Sequence, residues 1–318
     1  MTGSISSYKL RPIAVIQFES FRNWIIDGIL RESLAAIKKD ADFYFFPDSR
    51  KSVLKRLHTK FQIKNRGYQR LVYGNHKTYL EFNLERNSNS DSRVFVTQIL
   101  DNDFSLQKAP ANKLTRVERF VVQNKQVYNY LMELGVDKSR IRLNPGGINR
   151  HIFYPLPSST DIQDFILISG SFKQRKNPQL ISKIIRSFPK VKFLIHGTNF
   201  DVFPTDLGDN VEFLDFDFRR QPELMRSARL HLMVSKMEGG PMSILEALAS
   251  GTPCVVTDVG FCQEIVDSNS GVILQKEPTI SEIRSAIDFA WSLKQQVYNR
   301  DLLNGKFTWM NFGEDLFL

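Results

Sequence analysis

The chain has 318 residues, 42% hydrophobic and 24% charged, with 43 Lys and Arg against 34 Asp and Glu for a net charge of +9. Its length suits two domains of about 150 residues, and its composition is that of a globular protein and excludes a disordered or fibrous one. No apolar run is long enough for a transmembrane helix, the opening MTGSISSYKLRP lacks a signal-peptide core, and the two cysteines, Cys254 and Cys262, give neither a disulfide framework nor a metal-ligand spacing, so a reduced cytosol is expected.

Residues 11–18, RPIAVIQF, read as a first buried strand. A helix follows, with Trp24, Ile25, Ile29, Leu34 and Ile37 at an approximate helical period, and the turn before it, residues 19–23, has no glycine. Residues 42–47, DFYFFP, are a second strand. Residues 49–80 then hold no acid and nine cations, as many as the whole net charge. Within them Val53, Leu54, Leu57 and Phe61 fall on one side of a helix with Lys51, Lys55, Arg56 and Lys60 around it. This basic amphipathic pattern predicts either a surface helix docked on the core or, over residues 51–64, contact with an anionic membrane. No nucleic-acid-binding motif accompanies the charges, so nucleic acid is not the expected partner.

Residues 93–100, RVFVTQIL, form a further strand, and Asp101-Asn102-Asp103 after it reads as a polar turn in preference to a metal motif. A strand over 120–123, a helix over 126–134 stopped by Gly135, and a strand over 140–143 follow. From Asp164 strands and helices alternate: DFILISGS, a helix over 178–188, VKFLIHG, VEFLDF, a helix over 222–228, and LHLMVS. Such alternation predicts a parallel sheet covered by helices on both faces, with ligands at the carboxyl ends of its strands.

The stretch 235–260, SKMEGGPMSILEALASGTPCVVTDVG, organises the rest. Gly239, Gly240 and Pro241 break the preceding strand, Pro241 suits the first helical position, and residues 242–249 are apolar or small on all sides, with Gly251 as the stop. The helix carries one formal charge, Glu246. A carboxylate there needs a partner, either a structural cation or a ligand. Glu238 lies in the turn eight positions earlier. Eight helical residues span roughly 12 Å, so the two acids suit separated parts of one elongated ligand, with the phosphate-binding helix N-terminus between them. Hydroxyls at both ends and phosphate in the middle describe a nucleotide sugar.

The pattern E-G-x-P-x-x-x-L-E-A-x-A-x-G-x-P-x-V-x-T, running here from Glu238 to Thr257, resembles that of the retaining glycosyltransferases of family 4. The resemblance implies an α/β chain of GT-B fold: two Rossmann-like doubly wound domains facing a central cleft, with the last helix crossing back. Residues 1–153 would then be the acceptor domain, joined by a helix within about 306–318, and residues 154–305 the donor domain. It implies that Glu246 holds the ribose hydroxyls, that Glu238 contacts the donor sugar, and that the amides of Met242 and Ser243 bind the diphosphate beside Gly239, Gly240 and Pro241. SGSFKQRKNPQLI, residues 169–181, is similar to the family's G-R-x-x-x-x-K-G-x-x-x-L-I segment. Lys176 stands at the Lys that neutralises the diphosphate; Ser171, next to Gly170, stands at the family's Arg, with Lys173 or Arg175 to supply the missing charge.

His196 is either a donor contact or a hydrogen-bonded core residue. Two departures lie on the acceptor side: no Gly-rich loop follows the first strand, and Gln98 stands nearest to where the family has His. NPGGINRHIFYP, residues 144–155, is similar to the interdomain linker, with Gly146 for Asn and Asn149 for Asp. The tail resembles the family's F-[ST]-W segment, with Trp309, Phe312 and Leu316 on one face.

The implied protein is a cytoplasmic glycosyltransferase of hexosyltransferase type, peripheral at the inner face of a bacterial membrane. It would move a sugar from a nucleotide-diphosphate sugar to a glycan or lipid-linked acceptor of cell-surface polysaccharide or glycolipid synthesis, with retention and without metal or cofactor. The alternatives are another GT-B enzyme, such as an epimerase or phosphorylase, and a non-catalytic nucleotide-sugar-binding module. A dinucleotide oxidoreductase is disfavoured because no G-x-G-x-x-G follows the first strand.

Overall fold

The computed structural model describes residues 13–22, 25–48, 52–82, 84, 90–96, 105–155, 163–293 and 305–318. The chain divides into one unit of Met1–Gly147 with Trp309–Leu318 and a second of Ile148–Thr308. In the first, the elements run β1 (Ile13–Phe18), α1 (Ile25–Ala36), β2 (Asp42–Phe46), α2 (Val53–Arg66), β3 (Arg70–Tyr73), α3 (His76–Phe82), β4 (Asp91–Val96), α4 (Ala111–Leu114), β5 (Arg119–Val122), α5 (Lys125–Glu133) and β6 (Ile141–Leu143). The strands pair in parallel in the order β2-β1-β3-β4-β5-β6. A parallel sheet with both faces covered needs apolar side chains on both sides of each strand, and all six residues of β1 are buried. β3 was not read from the sequence: Leu71, Val72 and Tyr73 are a short apolar run inside a basic stretch, yet they pair with both β1 and β4.

The second unit runs β7 (Gln163–Ser171), α6 (Pro178–Ser187), β8 (Lys192–Thr198), β9 (Val211–Asp215), α7 (Gln221–Ser227), β10 (Ala228–Met233), α8 (Met242–Ala249), β11 (Cys254–Thr257), α9 (Cys262–Ile265), β12 (Gly271–Leu274) and α10 (Ile280–Ser292). Its parallel order is β12-β11-β10-β7-β8-β9. Strands β7 to β9 step one way and β10 to β12 the other, so the switch point lies between β7 and β10, where loops leaving the carboxyl ends diverge and open a crevice. The last helix, α11 (Trp309–Phe317), belongs to the first unit, where Phe312 and Leu316 are fully buried. Arg93 and Arg119 donate to the Asp315 carbonyl, placing positive charge at the negative end of its dipole.

Helix α2 departs from the expectation of an apolar side docked on the core. Thr59 and Ile63 face inward at 8% and 3% exposure, and Arg56 reaches over Phe82 and donates to the Pro47 carbonyl. Val53, Leu54, Leu57 and Phe61 point to solvent at 56%, 84%, 56% and 64% exposure. Arg56, Thr59, Lys60 and Ile63 recur at three- and four-residue spacing, so the stripe that packs is the mixed one. Ile25, expected on the buried side of α1, is 52% exposed. The turn without glycine, Glu19–Phe21, is a 3-10 turn held by Ser20, whose amide and hydroxyl both donate to Asp48. No helix among the described residues is long and apolar enough to cross a membrane.

Candidate active site

The loops after β7 and β10 meet at the switch point and are tied by the Lys236 amide, which donates to the Arg175 carbonyl at 2.8 Å. β7 ends in Gly170 and Ser171, and the chain then enters a short 3-10 turn, Gln174–Lys176. Gly170 has φ 153°, and a Cβ there would meet the Lys176 side chain at 3.2 Å, so glycine lets the lysine stem lie across the strand end. The Lys176 Nζ reaches Glu238 Oε1 at 2.6 Å, and Arg175 Nη1 reaches Glu238 Oε2 at 2.6 Å. The Ser235 hydroxyl donates to the same carboxylate at 2.9 Å. Burial works to raise the Glu238 carboxyl, but the Lys176 charge, then that of Arg175, and their hydrogen bonds outweigh it and hold it below the usual range. Two cations against one anion leave this corner with positive charge.

Glu238 and Lys176, assigned separate tasks in the sequence reading, are thus partners, and of the two further cations considered, Arg175 and Lys173, it is Arg175 that pairs with Glu238. Lys173 is exposed. Ser171, at the expected Arg position, accepts a hydrogen bond from the Asn199 amide at 2.9 Å. Ser235 carried no signal beyond its place in the motif stretch.

The α8 end is built from glycine geometry. Pro241 is the N-cap and not the first helical residue, and Gly239 and Gly240 lead into it. Gly260 has φ 62°, and a Cβ there would come within 2.7 Å of Pro241 Cδ and 3.2 Å of the Gly239 carbonyl. Ile244 donates its amide back to Pro241, whereas the amides of Met242 and Ser243 have no backbone acceptor among the described residues. The Ser243 hydroxyl donates to His231 Nε2 at 3.1 Å, since His231 Nδ1 faces the Leu167 carbonyl. Burial pulls the His231 imidazole down to about 4, keeping it neutral.

One turn on, Glu246 is half-buried and makes no ion pair among the described residues, so a structural salt bridge is not its partner. Its Oε2 accepts from the Gln221 amide at 2.9 Å. Burial raises the carboxyl to about 7, with the Gln221 bond pulling the other way. His196, considered as a ligand contact, is fully buried. Its Nδ1 lies 2.6 Å from Gln221 Oε1, and its Nε2 accepts the Asp217 amide at 3.0 Å. Both ring nitrogens are engaged within the protein, and burial lowers its pKa. Gln221 escaped the sequence reading because a glutamine at a helix start is commonly solvated, and nothing in its neighbours shows that it is buried. Asp101, Asp103, Gln98, Lys51 and Trp24 lie outside the described residues.

Residues 158–300 match the family model described as glycosyl transferases group 1. The chain is 24% identical over 177 residues to alpha-galactosylglucosyldiacylglycerol synthase of Streptococcus pneumoniae, covering 48% of this chain and 47% of that protein. It is 24% identical over 152 residues to UDP-Gal:alpha-D-GlcNAc-diphosphoundecaprenol alpha-1,3-galactosyltransferase of Escherichia coli, covering 41% and 39%. It thus spans less than half the length of these curated relatives. Anabaena HepE in complex with UDP-glucose is similar in fold, with a TM-score of 0.77 and 14% identity over 96% of this chain and 98% of that one. The chain therefore has the GT-B fold, and its residues 158–300 are similar to the glycosyl transferases group 1 domain.

Proposed function

We propose that this protein is a glycosyltransferase that moves a sugar, with retention, from a nucleotide-diphosphate sugar to a glycan or lipid-linked acceptor in bacterial cell-surface polysaccharide or glycolipid synthesis. The observation that carries the reading is the meeting, inside the group 1 domain, of Lys176 and Arg175 on Glu238, two free amides at the start of α8, and Glu246 without a cation. The diphosphate sits against the amides and the two cations, which stabilise the charge that grows as the sugar leaves. Glu238 holds those cations and faces the donor sugar, and Glu246 accepts from the ribose. Lys176 and Arg175 supply the charge a metal would bring, so chelator should leave turnover unchanged. HepE binds UDP-glucose, and the Escherichia coli relative is named for a UDP-Gal donor and a diphosphoundecaprenol acceptor. UDP-glucose and UDP-galactose are therefore the first donors to test, against diacylglycerol glycolipid and diphosphoundecaprenol-linked sugars with product masses read out. Donor binding without transfer to any acceptor would mark a binding module, and an altered free sugar would mark an epimerase.

The acceptor side is read from α2. Its outward Val53, Leu54, Leu57 and Phe61, with the exposed Lys64 on the same flank, form an apolar strip with a basic margin that fits the interface of an anionic bilayer. Lys55 and Arg56 are partly committed to Glu19 and Glu81. Each free Lys near such a surface contributes about 1 kcal/mol, giving reversible, salt-sensitive attachment at the inner face of the membrane. Co-sedimentation with vesicles should rise with anionic lipid and disappear when Leu54, Leu57 and Phe61 are changed together to Gln. A wild-type protein that ignores anionic vesicles at low salt ends this part of the reading.

A further inference from the structure

The polar groups of the second unit that the donor scheme leaves unused form one connected chain. Gln221, 2% exposed at the start of α7, places its amide between Glu246 Oε2 at 2.9 Å and His196 Nδ1 at 2.6 Å, with the Ser169 hydroxyl also on that amide at 2.9 Å. Beyond His196 lies the backbone amide of Asp217, 3.0 Å from Nε2, in the loop that continues β9.

The direction of this chain is set at both ends. A backbone N–H can only donate, so His196 Nε2 must accept and, the ring being neutral, Nδ1 carries the proton. Nδ1–H then requires the carbonyl oxygen of Gln221, and that orientation turns the Gln221 NH2 toward Glu246. A carboxylate can take that bond, and the other oxygen, Oε1, has no partner among the described residues. The same loop carries Phe216, whose ring lies 5.1 Å from that of His196, and Phe218; they are 49% and 50% exposed.

We propose that Gln221 is a positioning residue of the nucleotide site: through His196 it ties the backbone of the 215–219 loop to Glu246, so that the carboxylate that meets the ribose is held as part of one rigid unit. The proposal rests on Glu246 being the ribose ligand. Gln221 fixes the carboxylate rotamer with Oε2 and leaves Oε1 turned out to accept from the ribose hydroxyls. Buried side-chain networks of this kind rigidify beyond what their separate bonds supply.

The test is calorimetric binding of UDP and 2′-deoxy-UDP, with GDP and 2′-deoxy-GDP in parallel, to the wild type, Gln221→Met, Glu246→Gln and the double variant. The wild type should prefer the ribose form of the nucleotide it binds. Gln221→Met, similar in length and volume, should lower that affinity roughly tenfold or more and remove most of the preference. The double variant should be no weaker than Glu246→Gln alone, because residues acting as a unit are not additive. If Gln221→Met does not fold, Gln221→Glu keeps the acceptor for His196 and sets a carboxylate against Glu246, with the same loss expected. Gln221 variants that bind more weakly yet keep the wild-type ratio of ribose to deoxyribose affinity overturn the proposal and leave Gln221 a packing residue. Glu246→Gln with wild-type affinity and ratio, or a wild type that binds none of the four, overturns instead the reading of the site on which it rests.

Discussion

Glu238 and Glu246 stand eight residues apart in one motif and occupy opposite electrostatic settings. Glu238 lies between Lys176 and Arg175 with Ser235 behind it and stays charged below the usual range, whereas Glu246 has a single neutral donor, Gln221, and rises to about 7. One acid organises cations, the other waits for hydrogen-bond donors. A diphosphate needs positive charge that is already held in place, and a ribose needs an acceptor that no cation occupies. In the proposed donor site the two settings meet those two needs, side by side at the carboxyl edge of one sheet.

The sharpest way to break the contrast is to remove a cation from the first setting. Lys176→Ala should lower sugar-transfer turnover by roughly 10²- to 10³-fold, the scale of losing one preorganised donor to developing charge, while nucleoside affinity changes little. Full activity in that variant would mean that Arg175 alone carries the charge.

Next comes Glu246→Gln, which removes a charged acceptor and should weaken UDP binding by about 1.5 to 3 kcal/mol by calorimetry. Unchanged affinity for UDP would return Glu246 to a structural role.

The smallest effect is in the pH profile. Between the ordinary glutamate range and about 7 the folded protein keeps a proton on Glu246 that the unfolded chain has released, so this group's contribution to stability falls as pH rises through that window. The wild type should therefore melt below Glu246→Gln in mild alkali, with the gap closing in acid. Ribose donates to the charged form, so the advantage of wild type over Glu246→Gln in UDP affinity should grow as pH climbs through about 7. A pH-independent advantage would show that Glu246 is ionised throughout. Glu238, held low by its two cations, adds no step in this range.

Much of the donor unit was legible because strands β7, β8, β10 and β11 are mostly buried on both faces and helices start near Pro, as at Pro178 for α6 and Pro222 in α7. The motif from Glu238 to Thr257 pointed to both acids and to the α8 amides. It did not give their partners. Arg175 and Lys176 lie some sixty residues before Glu238, and Gln221 lies 25 residues before Glu246, separations across which a sequence carries no local period.

The sequence by itself determined the alternation of strand and helix, the parallel sheets and the chemistry gathered at the motif, since local periodicity and burial are written in consecutive residues. Only the tertiary structure decided which cation meets which acid and which way α2 faces. Both Val53, Leu54, Leu57, Phe61 and Arg56, Thr59, Lys60, Ile63 are sound helical stripes. The second packs inward because Ile63 and Thr59 bury there and the Arg56 guanidinium finds the Pro47 carbonyl and the Phe82 ring, partners brought to it by β2 and α3. A helix with two usable faces is oriented by what the fold offers each of them, and that depends on distant chain.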